Sequence, residues 1–129
     1  MRKLQLFFPL IIFTALAVST CGKPANPAVK AVESYLNALV NKDSNTLSTL
    51  SCADWESNAL LELDSLQAVT TKLENLVCAA TGTNGSTTNV NCQGKILATY
   101  NGEDQKFDLS VRTYQVVNQG GEYLVCGYQ

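Results

Sequence analysis

The sequence contains no histidine in its 129 residues. Histidine is the commonest general base and a common metal ligand, so its absence lowers the expectation of both kinds of site. No run of basic residues occurs, which makes nucleic acid and anionic lipid headgroups poor candidate partners. No C-x-x-C pair is present, which argues against zinc. We therefore expect no catalytic residue, no metal ion and no cofactor.

The first 23 residues have the layout of an export signal. The basic residues Arg2 and Lys3 precede an apolar stretch over residues 4–18. This stretch is shorter than the roughly 20 residues that span the hydrocarbon of a bilayer, and Pro9 interrupts it. We expect it to be a signal peptide that is removed, and not a retained membrane span.

The signal ends in a short motif that points to lipidation. The residues Val18-Ser19-Thr20-Cys21 resemble the lipobox of bacterial lipoproteins, although Thr20 replaces the usual Gly, Ala or Ser. The resemblance implies that residues 1–20 are removed and that an acylated Cys21 anchors the chain to the bacterial cell membrane, with the domain outside the cytoplasm. Residues 21–27 contain glycine and two prolines and would form a tether. The alternative is an ordinary secretory signal, which would leave Cys21 as an odd thiol.

Removal of residues 1–20 leaves a chain that fits one domain. The remaining 109 residues carry seven Lys or Arg against eleven Asp or Glu, a net charge of −4. A chain of this length buries about 60 to 70% of its unfolded surface, which gives a thin core. We predict a single α+β domain over residues 28–129.

The first half of this domain has the apolar periodicity of helices. Asn26 and Pro27 predict a helix start, and the helix should end near Asn41. Asp43 or Ser44 can cap a second, shorter helix, and residues 51–54 resemble a capping box for a third. The predicted inner positions are Val29, Val32, Leu36 and Leu39 on the first helix, Leu47 and Leu50 on the second, and Trp55, Ala59, Leu63 and Leu66 on the third. The acidic residues of the third helix are assigned to its solvated face: Asp54, Glu56, Glu62 and Asp64.

From about Thr70 the apolar pattern changes to a period of two, which is typical of strands. Four strands are predicted, over residues 71–80, 88–100, 106–117 and 122–128. The turns between them contain Asn84-Gly85, Asn101-Gly102 and Gly120-Gly121, which suit tight hairpins. The second half therefore predicts a four-stranded antiparallel meander.

The Asn101-Gly102 turn predicts a register for the second hairpin. A two-residue loop pairs Tyr100 with Glu103, and the same register pairs Ile96 with Phe107, Lys95 with Asp108, Gly94 with Leu109 and Cys92 with Val111. Lys95 and Asp108 then face solvent as an opposite-charge pair. The inner face of the sheet is predicted to consist of Cys92, Ile96, Phe107, Leu109, Val111, Leu124, Cys126 and Tyr128.

Four cysteines follow Cys21, and an even set in an exported chain predicts two disulfides. Strands lie about 4.8 Å apart, so cysteines on next-but-one strands exceed the roughly 7 Å Cα limit for a bridge. In a meander, this distance excludes Cys126 as a partner for Cys78 or Cys92. We therefore predict the bonds Cys78–Cys92 and Cys52–Cys126. The first bond requires an odd loop or a β-bulge, because a two-residue Asn84-Gly85 turn would not place its cysteines opposite each other.

Helices followed by this meander resemble the nuclear transport factor 2-like, or cystatin-like, superfamily. The closest likeness is to its small bacterial lipoproteins, through Tyr35-Leu36-Asn37-Ala38-Leu39, Ser51-Cys52-Ala53-Asp54-Trp55-Glu56, Gly94-Lys95-Ile96 and Cys126-Gly127-Tyr128. The resemblance implies a curved sheet that wraps a long helix into a cone. Its enzymes use acids and tyrosines inside the cone, but no inward carboxylate can be assigned here from sequence.

Two functions therefore stay open. The first is a membrane-anchored, non-catalytic domain of the cell envelope that binds an unknown small molecule or an envelope protein. The second is a small hydrolase or isomerase with a pocket near Tyr35, Trp55, Tyr100 and Tyr128. An inward carboxylate in an open cavity would favour the second, whereas a cone filled by Trp55, Phe107 and Leu124 would remove it.

Overall fold

The computed structural model describes residues 25–129. The expected signal peptide, Cys21 and most of the expected tether lie outside the described residues. Three α-helices come first and five β-strands follow, so the α+β class and the order of helices before sheet are confirmed. Within residues 25–129 no helix is long and apolar enough to cross a bilayer.

The helices begin close to the predicted positions. Helix α1 is Pro27–Val40, α2 is Ser44–Thr49 and α3 is Ala53–Ser65. The Asn26 side chain accepts a hydrogen bond from the Ala28 N–H at 3.0 Å, and Asp43 accepts one from the Thr46 N–H at 3.1 Å. The predicted capping box of α3 is wrong, because the Ser51 hydroxyl donates to the Leu47 carbonyl at 2.7 Å instead.

The strands form one antiparallel sheet: β1 is Thr70–Asn84, β2 is Thr87–Tyr100, β3 is Glu103–Asp108, β4 is Thr113–Gln119 and β5 is Glu122–Tyr128. The order is β1-β2-β4-β5, and β3 pairs with the second half of β2. Residues 106–117, predicted as one strand, are therefore two. Asp108 caps a 3₁₀ turn at Leu109–Val111 by accepting hydrogen bonds from the Ser110 N–H and hydroxyl, and this turn ends β3.

The 3₁₀ turn ends the predicted pairing between β2 and the following strand at Asp108. The pairs from Tyr100–Glu103 to Lys95–Asp108 are confirmed. The predicted pairs Gly94–Leu109 and Cys92–Val111 are wrong, because the chain has left the ladder by then and rejoins β2 where Thr113 pairs with Asn91.

The inner face of the sheet is partly as predicted. Cys92, Ile96 and Leu109 are buried, whereas Val111 is 75% exposed because it lies on the 3₁₀ turn. Phe107 pairs with Ile96 but remains 37% exposed. On β5 the buried residues are Val125 and Gly127, and the prediction for Leu124 and Cys126 is wrong.

A β-bulge explains the change of face on β5. The register between β4 and β5 shifts between Gln115 and Val116, so Tyr128 pairs with Tyr114 while Val125 pairs with Val116. Cross-strand partners share a face, so the bulge places Val125 and Tyr128 on the same side although they are three residues apart. Tyr128 therefore faces inward, as predicted.

The core lies between α1 and the concave face of this curved sheet. Val32, Leu36 and Leu39 of α1 are fully buried, as the helical period predicts, while Val29 is only partly buried. Leu47, Ala59, Leu63 and Leu66 complete the helical side. Strands β2, β4 and β5 contribute Val90, Tyr114, Val116 and Val125.

The two predicted cysteine pairs are joined in the structure. Cys78 and Cys92 are cross-strand partners with Cα atoms 4.0 Å apart, and the register shifts between Ala80 and Gly82, as this bond requires. The hairpin turn is Gly85-Ser86, one residue beyond the predicted position. Cys52 and Cys126 have Cα atoms 4.9 Å apart and join the start of α3 to β5.

Candidate functional site

Three of the four predicted pocket residues meet at one end of the core. The Trp55 Nε1–H donates to the Tyr35 hydroxyl at 3.0 Å, and the Trp55 ring meets the edge of Tyr128 at a centroid distance of 5.4 Å. Tyr100 is not part of this group. It is 60% exposed at the end of β2 and lines a different surface cleft, so its assignment to the pocket was wrong.

Tyr114, which was not predicted as a site residue, completes an aromatic cluster. Its ring lies 6.3 Å from Tyr35 and 5.5 Å from Tyr128, measured between centroids, and its side chain is fully buried. The alternation of Tyr114 and Val116 on β4 could have indicated this inward position. The three tyrosines therefore come from α1, β4 and β5 and meet in one cluster.

A partly buried ion pair adjoins the tyrosines. The Arg112 Nη1 donates to the Glu62 Oε1 at 2.7 Å, and the Arg112 guanidinium lies 4.2 Å from the centre of the Tyr128 ring. The two charged side chains are only 21% and 18% exposed. The position of Arg112 over the ring adds a cation–π attraction.

The inward position of Glu62 corrects the prediction that it belongs to the solvated face of α3. Ala59, Glu62 and Leu66 follow one another at steps of three and four, which places them on one side of a helix. Ala59 and Leu66 are buried, so Glu62 between them is directed to the same side. This spacing could have indicated the inward position of Glu62, but the prediction assigned Glu62 to solvent because it is charged.

A cleft of about 240 Å³ opens beside the ion pair. One wall is apolar and is made by Leu66, Ile96 and Phe107. The remaining lining residues are Glu62, Ser65, Arg112 and Tyr128. The volume is slightly below the roughly 300 to 1,000 Å³ of typical small-molecule sites, so the cleft suits a small ligand, and the mixture of apolar walls with few polar groups is typical of such sites.

Two buried oxygens in this region have no hydrogen-bond partner among the described residues. They are the Glu62 Oε2 and the Tyr114 hydroxyl. Buried polar atoms are nearly always paired, because an unpaired one costs about 1 to 3 kcal/mol. Two such atoms in one cluster are typical of a functional site.

The tyrosine hydroxyls keep their protons near neutral pH. Burial raises the pKa of Tyr114 to about 12, although the nearby positive charge of Arg112 acts in the opposite direction. Burial also raises the pKa of Tyr35 and of Tyr128, and the Glu62 charge adds to both shifts. These hydroxyls can therefore donate hydrogen bonds but are not bases.

The arrangement combines one carboxylate, one guanidinium and neutral tyrosine donors beside an apolar wall. It can hold a polar group of an apolar molecule, and the unpartnered Glu62 Oε2 can accept a hydrogen bond. Among residues 25–129, no three Cys, Asp or Glu side chains are grouped so that they could hold a metal ion.

No protein-family model matches the chain, and no curated protein sequence matches it. Solved structures do. An NTF2-like protein with a cystatin-like fold from Novosphingobium aromaticivorans aligns with a TM-score of 0.55 at 11% identity, covering 79% of this chain and 77% of that one. A candidate ketosteroid isomerase from Shewanella frigidimarina aligns with a TM-score of 0.57 at 12% identity, and the alignment covers 81% of this chain and 94% of that one. A candidate polyketide cyclase from Xanthomonas campestris aligns with a TM-score of 0.55 at 12% identity, and the alignment covers 78% of this chain and 87% of that one.

Proposed function

Because the chain has the nuclear transport factor 2-like, cystatin-like fold, we propose that it is a membrane-anchored lipoprotein whose domain binds a small apolar molecule in the cleft between α3 and the sheet. One observation carries the binding function. An apolar wall of Leu66, Ile96 and Phe107 and a partly buried carboxylate and guanidinium line one cleft of about 240 Å³.

The proposed anchor is supported by the sequence before the domain. The apolar signal ends at Cys21, and α1 begins only six residues later, at Pro27. Acyl chains contribute about 0.8 kcal/mol per buried methylene, so the several chains of a bacterial lipoprotein would hold the domain firmly at the membrane. The two cysteine pairs suit an oxidising compartment outside the cytoplasm.

The intact mass of the protein extracted from membranes tests this anchor. We expect the mass of residues 21–129 plus acyl groups, and a gain of four hydrogens when the two disulfides are reduced. In the control, the Cys21→Ser variant should carry no acyl mass. An uncleaved chain, or a cleaved chain without acyl groups, would contradict the proposal.

The binding function can be tested through Trp55, the only tryptophan in the chain. Trp55 contacts Tyr128, which lines the cleft, so energy transfer from Trp55 reports an apolar dye that enters it. The probe is N-phenyl-1-naphthylamine, a neutral dye. We expect saturable transfer in the full-length protein held in lipid nanodiscs.

Two phenylalanine substitutions in α3 provide the matched comparison. Ser65 lines the cleft, whereas its exposed neighbour Asp64 does not. Ser65→Phe should fill the cleft and abolish the saturable transfer, while Asp64→Phe should retain it. Equal transfer in the two variants, or none in the natural protein, would show that the cleft does not bind the dye.

A second candidate function is a small isomerase or hydrolase. It is favoured by the inward position of Glu62 and by the likeness in fold to a candidate ketosteroid isomerase. The test is conversion of an unconjugated steroid ketone to its conjugated isomer, followed by ultraviolet absorbance. An enzyme should turn this substrate over and lose activity in Glu62→Gln but not in Glu56→Gln. Dye entry without turnover would favour the binding function.

A further inference from the structure

We infer that the ligand is an apolar alcohol, whose hydroxyl group donates a hydrogen bond to the Glu62 Oε2 and accepts one from the Tyr114 hydroxyl. This inference rests on the proposed binding function and adds the chemical class of the ligand. It starts from the two unpartnered oxygens, which are the only buried side-chain oxygens or nitrogens without a partner among the described residues.

The contacts around these atoms place them in one group. Arg112 contacts both Glu62 and Tyr128. It donates to the Glu62 Oε1 at 2.7 Å, and its guanidinium lies 4.2 Å from the centre of the Tyr128 ring. Tyr128 in turn packs against Tyr114 with ring centroids 5.5 Å apart and is also its cross-strand partner. Glu62, Arg112 and Tyr128 line the cleft, whereas the fully buried Tyr114 does not and lies behind Tyr128.

The two oxygens differ in what they require. An ionised carboxylate only accepts hydrogen bonds, whereas a protonated tyrosine can donate one. A ligand hydroxyl satisfies both at once, because it has one hydrogen to donate and lone pairs to accept with. A ketone can accept from Tyr114 but leaves the carboxylate unpaired, and an anionic group would be repelled by Glu62. The apolar remainder of the ligand would lie on Leu66, Ile96 and Phe107.

Entry to the subsite requires the ion pair to reorient. The Glu62 Oε2 and the Tyr114 hydroxyl are both buried, so neither is open to the cleft in the arrangement described above. The side chains of Arg112 and Glu62 retain 21% and 18% exposure, which leaves them a path toward solvent. The hydroxyl would then enter beside the carboxylate without breaking the core around Tyr35.

A matched pair of aliphatic probes tests the ligand class. 4-tert-Butylcyclohexanol can donate and accept, whereas 4-tert-butylcyclohexanone can only accept. The ketone absorbs weakly in the indole region, so the same titration of free N-acetyltryptophanamide corrects for its absorption. Trp55 fluorescence of the full-length protein in nanodiscs would report their binding. We expect the alcohol to bind at least about tenfold more tightly than the ketone, because a hydrogen bond to a charged buried group is at stake.

Substitutions then test whether the Glu62 Oε2 and the Tyr114 hydroxyl cause the preference for the alcohol over the ketone. Glu62→Gln keeps an oxygen for Arg112 but gains an N–H that can donate to the ketone, so the preference should fall to near unity. Glu56→Gln, on the same helix but outside the cleft lining, should keep the full preference. Tyr114→Phe should weaken alcohol binding about fivefold or more.

The outcomes separate the inference from the function on which it rests. If the naphthylamine dye enters the cleft but the alcohol and ketone bind equally or not at all, the ligand class is wrong and the binding function stands. An alcohol preference that survives Glu62→Gln would equally overturn the inference. Failure of the dye to enter would instead remove the binding function.

Discussion

At the level of single side chains, Tyr35 and Tyr114 are alike in burial and differ in hydrogen bonding. Both are fully buried, and their rings touch edge to face. The Tyr35 hydroxyl accepts from Trp55, whereas the Tyr114 hydroxyl has no partner among the described residues. Removing the two hydroxyls should therefore have different effects on stability.

We expect Tyr35→Phe to lower the free energy of unfolding by about 1 kcal/mol, because it leaves the Trp55 N–H without its acceptor. Tyr114→Phe should change it by less than about 0.5 kcal/mol or increase it, because no protein hydrogen bond is lost. Urea denaturation followed by Trp55 fluorescence measures both variants. Equal losses would mean that the Tyr114 hydroxyl has a partner in the folded state.

The raised pKa of Tyr114 predicts a loss of stability in alkali. Its pKa is about 12 in the folded protein and about 10 in the unfolded chain. As the pH rises, Tyr114 therefore loses its hydroxyl proton in the unfolded chain before it does so in the folded protein. The contribution of the protonated Tyr114 to the free energy of unfolding is complete below pH 10 and is lost as the pH rises from 10 to 12. The urea midpoint should fall over this interval, and by less in Tyr114→Phe. An identical pH dependence in that variant would contradict the assignment.

At the level of elements, β2 pairs with β1 along one edge and with two strands in succession along the other. Its second half pairs with β3 and its first half with β4, and the 3₁₀ turn at Leu109–Val111 lies between them. The Asn101-Gly102 turn was enough to predict the register as far as Asp108. The break could not be predicted from apolar alternation, because Leu109 and Val111 continue that alternation while Asp108 and Ser110 end the strand through local hydrogen bonds.

Gly94 allows β1 to bend over β2. Its φ is +105°, and a Cβ there would lie 2.5 Å from the Glu74 carbonyl oxygen, in backbone that cannot move away easily. We expect Gly94→Ala to cost about 2 to 4 kcal/mol, from the clash and the strained φ together. Gly82→Ala is the control, since no atom lies within 4 Å of a Cβ at that position. Thermal unfolding would measure both, and equal melting temperatures would refute this role of Gly94.

At the level of the whole molecule, the two disulfides should contribute unequally. They close loops with sequence separations of 74 and 14 residues. In the loop-entropy model these separations correspond to about 4.5 and about 3 kcal/mol. Replacing Cys52 and Cys126 together by alanine should therefore lower stability by about 1.5 kcal/mol more than replacing Cys78 and Cys92. Urea denaturation of the two double variants tests this order, and the reverse order would contradict it.

The fold was more predictable than the candidate site. Strand spacing was sufficient to predict which cysteines lie together, and loop parity predicted the β-bulge that the Cys78–Cys92 bond requires, because both are rules of backbone geometry. The site depends instead on contacts between distant elements, such as Glu62 with Arg112, which are 50 residues apart. Nothing local marks Arg112 as the partner of Glu62, and the bulge on β5 that turns Tyr128 and Val125 to one face has no signature in the alternation of apolar residues.

The arrangement of the two disulfides has a consequence for how the chain matures. Residues 78 and 92 both fall between 52 and 126, so the smaller covalent ring is nested wholly inside the larger one. Nested rings can close without any segment being threaded through another. Oxidation can therefore proceed in either order and still reach the same bonded product.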